Sequence, residues 1–337
     1  MAQSLKANIT QFLLSRGFVV FYAFAVFSYV LLRSYNLSYT FDEITSMQIA
    51  TGDDWYMFTT NSNNHILNTI LMRASIWLFE ISEFTLRLPN ALGCLFFLGF
   101  AYKIGCFLGN KKLLITVVLL TSMPFLIDFF SLARGYGLAL GFMMASLYYV
   151  LKYQKSKHIL LALASTLFAM LAVLSNFTLF NYFLALTCIL LLIAFLADHS
   201  RVKKLLAVLV VLITTGIFLY ILTPLLFELK NGGQLYFGGR TGFVYDVVYS
   251  LGRCFAYNQI SIGLGEFLFG LLFGLAGIIA LWSSFRSIIK RQLTSNAVLS
   301  ILFVLCCMAP ILQHLLFGTN YPAERTAAMY YLLLYWC

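Results

Sequence analysis

About ten mostly apolar stretches follow one another along this chain, most of them close to the length that crosses a bilayer. That run leaves little freedom of fold. A hydrocarbon core about 30 Å thick takes about 20 apolar residues as a helix, and a helix satisfies its own backbone groups there. Strands of a membrane barrel alternate apolar and polar residues, and these runs do not. Charged residues make up 10% of the 337 and apolar ones 61%, whereas a soluble domain carries about a quarter charged. The expected fold is therefore all-α and polytopic, one transmembrane domain over 1–337. The first run, 18–32, has no small-residue cleavage site after it and reads as a span.

Charge orients the spans. Lys111-Lys112, Lys152/Lys155/Lys157, Arg201/Lys203/Lys204 and Arg286/Lys290/Arg291 fall between apolar runs, and the positive-inside rule puts all four clusters in the cytoplasm. Clusters of this kind account for the net charge of +10 without nucleic acid as a partner. The seven cysteines are scattered, mostly within apolar runs and with no C-x-x-C, so they read as small hydrophobes and not as a disulfide framework.

Segment 65–81 decides the topology. If it crossed, every later lysine cluster would lie outside; if it lies flat, all of them lie inside. His65, Asn68, Thr69, Arg73 and Glu80 share one side at helical spacing, and Ile66, Leu67, Ile70, Leu71, Leu78 and Phe79 the other. That pattern predicts an interfacial amphipathic helix within a first outer loop, 33–88. Spans are then expected at 17–32, 89–108, 113–130, 138–151, 159–175, 179–197, 205–227, 267–283 and 297–317, with a second large outer loop at 228–263. The last run, 327–337, would reach only about 16 Å, which suggests a chain truncated at its C-terminus.

This topology places Arg33, Arg73, Arg87, Arg134, Arg240, Arg253 and Arg325 outside, with Lys230 the only lysine there. Outer arginines do not help orientation and need another reason. Asp42-Glu43 follows the first span closely: one carboxylate could act as a general base with the other orienting it, or the two could be a solvated pair in a loop. Asn63-Asn64-His65 could bind a sugar, a phosphate or a metal, although no second histidine stands at ligand spacing. Arg87-Leu88-Pro89 and Arg134-Gly135-Tyr136 open or close outer span ends, the latter six residues after Asp128. Such arginines can simply snorkel. Converging with Arg325, they would form an anion site, because a guanidinium presents a planar fork suited to phosphate. The glycine-rich loop 228–263 has no Gly-Lys-Ser/Thr and is no P-loop; it reads as a mobile outer loop able to gate a site. Three Asn-x-Ser/Thr triplets, among them Asn176-Phe177-Thr178, carry no weight.

Four local patterns resemble the GT-C membrane glycosyltransferases, in the branch of protein O-mannosyltransferases and aminoarabinose-lipid A transferases. Phe41-Asp42-Glu43 resembles the acidic motif of their first outer loop. Asn63-Asn64-His65-Ile66-Leu67 resembles their His-Pro-Pro-Leu segment without its prolines. Ser82 to Leu92, around Arg87-Leu88-Pro89, resembles the arginine-leucine-proline segment of the second span, and Ala133-Arg134-Gly135-Tyr136 the alanine-arginine-x-tyrosine turn. The likeness covers about residues 15–140. It implies transfer of a sugar from a polyprenyl-phosphate carrier to a lipid, glycan or protein acceptor, at the extracytoplasmic face of a bacterial inner membrane. On that footing Asp42 is the base and Glu43 its partner. Arg87, Arg134, Tyr136 and Arg325 hold the donor phosphate; Asn64, His65 and Asp128 contact substrate, with Asp128 also able to orient Arg134. Some relatives use a divalent metal and others do not, and these residues do not decide. Two other classes stay open: a polysaccharide polymerase or ligase, and a transporter or flippase of lipid-linked sugars, which would need charges near the bilayer midplane.

Overall fold

The computed structural model describes residues 16–52, 65–196, 200–234, 237–255 and 262–335. Asn63 and Asn64 lie outside them. The described residues form helices α1 (Arg16–Asn36), α2 (Phe41–Thr51), α3 (Ile66–Phe79), α4 (Glu83–Leu108), α5 (Asn110–Thr121) and α6 (Pro124–Asp128). After a 3-10 turn at Phe129–Ser131 come α7 (Tyr136–Ser156), α8 (Ile159–Ser175), α9 (Phe180–Leu196) and α10 (Arg201–Asn231). A π-helical turn at Val244–Tyr249 leads into α11 (Ser250–Phe255), α12 (Ile262–Ile289), α13 (Ser295–Phe317), a 3-10 turn at Glu324–Ala327 and α14 (Met329–Leu334). Among the described residues there is no strand, only one isolated bridge between Gly239 and Tyr321. Among the described residues six helices are long and apolar enough to cross a membrane. The chain is thus an all-helical, multi-pass integral membrane protein.

One expected span is broken, and two others are helices that do not belong to the six. Segment 113–130 is not straight: Lys112–Thr121 and Pro124–Ser131 meet at 72°. Pro124 forces the break, since the residue before a proline is driven from helical geometry, and Met123 is extended at φ −99° and ψ 103°. Helix α8 has 17 residues and falls short of the six in length. Helix α7 is long enough but not among the six, because Gly, Ser, Tyr and Lys dilute its apolar residues; it packs between α4 and α8. The crossing with α4 is close. A Cβ on Gly141 would meet the Gly93 carbonyl oxygen at 2.6 Å.

Helix α3 has 14 residues and reaches about 21 Å, too short to cross. Its amphipathic pattern is real, and its polar side turns inward. Asn68, Thr69 and Ser75 are buried, while Ile70, Trp77, Leu78 and Phe79 are exposed. The polar side is spent on neighbours. Asn90 of α4 donates from Nδ2 to Asn68 Oδ1 (2.7 Å) and accepts from the Leu138 amide (3.0 Å), one of the unpaired N–H groups at the start of α7. Arg73 donates to the carbonyls of Ile49 (3.1 Å), Ala50 (3.1 Å) and Gly52 (2.8 Å), closing the C-terminus of α2.

The two ends of the bundle differ in chemistry. Helix α4 starts near Arg87 and runs about 39 Å over its 26 residues, so the turn at Lys112 lies at the far end. Helix α7 runs the same way from Tyr136, and its Lys155 sits over the Phe107 ring (5.2 Å). Lys112 and Lys155 therefore lie at one end, and Asp42, Arg87, Arg134 and Arg325 at the other.

Candidate active site

Glu43 and Arg87 form the foundation of the arginine end. Both side chains are fully buried, and the carboxylate takes the guanidinium fork with Nε to Oε1 at 2.8 Å and Nη2 to Oε2 at 2.9 Å. Arg87 further donates to the carbonyls of Ser34 (3.0 Å) and Ser38 (3.0 Å), and to that of Leu37. All five of its N–H donors are used. Glu43 in turn accepts from the Thr40 amide (3.0 Å) and hydroxyl (3.1 Å), and from the Ala133 amide (2.8 Å). Burial alone would raise the Glu43 carboxyl. The Arg87 hydrogen bonds and the amides of Ala133 and Thr40 outweigh it and hold the carboxyl below its ordinary value.

This geometry corrects two expectations. Arg87 has no donor left for a phosphate and no exposure to meet one. Glu43 does not stand beside Asp42 as a catalytic partner; it faces the opposite way, into the protein. Its role was written in the sequence as Thr40-Phe41-Asp42-Glu43, the Thr-x-x-Glu of a capping box, in which the fourth residue reaches back to the first amide.

The clamp fixes the residues on either side. Ala133 bound to Glu43 carries Arg134 next to Asp42, the neighbour of Glu43. Arg134 Nη2 lies 3.3 Å from Asp42 Oδ2, and Arg325 Nη1 hydrogen-bonds the same oxygen. The partners of Asp42 thus come from 92 and 283 residues further along the chain. Arg134 is nearly buried at 5% side-chain exposure, whereas Asp42 and Arg325 keep 26% and 33%, so the trio opens outward. Among the described residues the cluster holds one cation more than it has anions.

Arg325 sits in the connection after α13, which the second outer loop braces. Gly239 pairs with Tyr321 (3.0 and 2.8 Å), Arg240 Nε donates to Asn320 Oδ1 (2.8 Å), and Ser250 Oγ accepts from the Glu324 amide (2.8 Å). Asp246 closes the loop on itself through the amides of Thr241 (2.8 Å) and Gly242 (2.9 Å). Phe237 lies under the Arg325 guanidinium at 4.8 Å. The expected gating loop is thus tied down where it is described.

His65 and Tyr136 complete the floor. The turn that carries Arg134 depends on Gly135, whose φ of +69° suits glycine and whose added Cβ would stand 2.3 Å from the Ser175 carbonyl oxygen and 2.8 Å from His65 Cβ. His65 is buried and edge-on to the Tyr136 ring at 5.5 Å, and Tyr136 stacks on Phe129 at 4.8 Å. Burial, then the charges of Arg134 and Arg325, hold the imidazole well below its ordinary value, so it is neutral. Asn176 is buried against the same turn, which removes it as a surface triplet. Asp128 stands apart. It pairs with Arg33 (3.1 Å), which also donates to Ser131 Oγ (3.1 Å).

Among the described residues no group of three His, Cys, Asp or Glu side chains could hold a metal ion. No family model matches the chain, and no curated protein or solved structure matches it.

Proposed function

We propose that this chain is a membrane glycosyltransferase of the GT-C kind, moving a sugar from a polyprenyl-phosphate carrier to an acceptor hydroxyl at the extracytoplasmic face. The observation that supports it most is the junction of Asp42, Arg134 and Arg325, built from three distant parts of the chain at one end of the bundle. Two guanidinium groups converge there on one partly exposed carboxylate, a planar-fork arrangement suited to a lipid-linked phosphate whose tail stays in hydrocarbon. Lysines at the opposite end orient this end outward.

The transfer distributes over these groups as follows. The acceptor oxygen bonds to the anomeric carbon of the sugar while the bond from that carbon to the phosphate oxygen breaks. The acceptor proton goes to the Asp42 carboxylate. The electron pair leaves with the carrier phosphate, whose charge Arg134 and Arg325 stabilise in a site of low dielectric. The incoming phosphate takes over the guanidinium groups that Asp42 occupies, leaving the carboxylate to face the acceptor.

Farnesyl phosphate, a short carrier analogue, tests the phosphate site on protein in nanodiscs. Arg134→Lys and Arg325→Lys should each weaken its binding by about 1.5–3 kcal/mol, since a point charge does not reproduce a fork. The nearly buried Arg134 should show the larger loss. Binding equal to the parent in both variants would leave the arginines as anchors and remove the main support for the reading. Sidedness has its own test. Lys112→Cys and Lys155→Cys should resist an impermeant maleimide applied from outside intact cells, and labelling of either from that side inverts the topology.

A further inference from the structure

Three polar atoms beside the arginine pair make no hydrogen bond among the described residues: both ring nitrogens of His65 and Nδ2 of Asn176. His65 is 6% exposed and Asn176 1%. A buried polar atom left without a partner destabilises the fold, so a cluster of three calls for an explanation. Asn176 is already half used in structure: its Oδ1 accepts from the Thr178 amide (3.0 Å), holding the turn after α8. Its amide nitrogen lies beside the Tyr136 hydroxyl without reaching hydrogen-bond geometry. The His65 side chain packs on the Gly135 turn, and the backbone carbonyl of Ser175, the residue before Asn176, approaches the same turn. That turn places Arg134.

The kinds of unpaired atom narrow the ligand. A neutral imidazole offers one donor and one acceptor, and an amide nitrogen offers donors only. An ionised phosphate accepts and cannot donate, so it would leave the acceptor nitrogen of His65 unmet. A hydroxyl does both. We infer that His65 and Asn176 form a subsite that reads the hydroxyl groups of the sugar attached to the phosphate held by Arg134 and Arg325. This rests on the phosphate reading of that pair. Burial, the largest cause, holds the imidazole below its ordinary value and so favours the neutral ring with its acceptor nitrogen.

The test compares farnesyl phosphate with farnesyl phosphates carrying glucose, mannose, galactose or arabinose, on the full chain in nanodiscs. The parent should bind at least one sugar-bearing probe about tenfold more tightly than farnesyl phosphate. His65→Phe keeps the ring and its contact with Tyr136 and removes both nitrogens. Asn176→Ser keeps an oxygen to cap the turn and removes the amide donors. Each should bring the preferred probe to within about threefold of farnesyl phosphate, whose own binding should change by less than about twofold. Because His65→Phe deletes unpaired polar atoms, its melting temperature should equal or exceed the parent's. The subsite is overturned if the parent shows no preference across the panel, as water alone at these atoms would give. It is equally overturned if the preference survives both substitutions, or if both probes weaken together. A parent that fails to bind farnesyl phosphate itself removes the phosphate reading, and the subsite falls with it.

Discussion

Arg87→Ala is expected to cost this protein its fold before it costs any chemistry. The substitution leaves Glu43 buried without its cation and leaves the carbonyls of Ser34, Leu37 and Ser38 without a donor. Breaking a buried pair by removing one partner typically destabilises by about 3–5 kcal/mol, a large share of a total of about 5–15 kcal/mol. Glu43→Gln should fall in the same range, because it strands the guanidinium. The two losses should not add, since both remove the one pair. Thermal unfolding in detergent measures this, with size-exclusion behaviour as a check. Acid gives a second handle. The Glu43 carboxyl is held below its ordinary value, so its contribution is fully present above the unfolded value of about 4.3 and is lost as pH falls through the lower folded value. An Arg87→Ala protein that melts with the parent yet fails to bind farnesyl phosphate would overturn the clamp and return Arg87 to the phosphate.

The mistaken pairing of Asp42 with Glu43 shows what a sequence of this kind discloses. The all-helical, multi-pass class followed from the apolar runs, because a bilayer imposes one dimension on every span, whereas the nine expected spans exceed the six qualifying helices among the described residues. The sides of α3 were also legible, although not which side faced protein. In water the polar side turns outward; next to lipid it is the polar groups that need protein partners, so Asn68 turns in to Asn90 and Trp77 faces out. The break at Met123-Pro124 was readable from the proline alone. Which arginine meets which carboxylate was not readable from distance along the chain. Arg87 goes to Glu43, 44 residues away, and Arg325 to Asp42, 283 away. Only the capping-box spacing of Thr40 and Glu43 marked Glu43 as structural, and it is a local signal overshadowed by the adjacent acid. Asn90 and Asn176 carried no signal, since a buried amide is recognised by what surrounds it.

Asp42→Asn should separate chemistry from binding more sharply than any other change in the site. Asparagine keeps the shape of the side chain and loses the charge and the ability to take a proton. If Asp42 is the base, transfer should fall by about 10²–10⁴-fold. The phosphate site should not weaken with it. Asp42 sits on the guanidinium groups that a phosphate would need, so removing its charge removes a competitor and leaves Arg134 and Arg325 less neutralised. Farnesyl phosphate should therefore bind Asp42→Asn as tightly as the parent or more tightly, in contrast to the losses expected of the two lysine variants. Turnover can be followed as release of farnesyl phosphate from the sugar-bearing probe that the parent prefers, in native membranes that supply the acceptor. Retention of more than about half the parent rate would exclude the base role, because loss of a general base costs at least about a hundredfold. Loss of binding in step with rate would mean that Asp42 serves to hold the two arginines in place. The proton would then need another acceptor, and the neutral imidazole of His65, which packs against the turn that carries Arg134, is the group to test next.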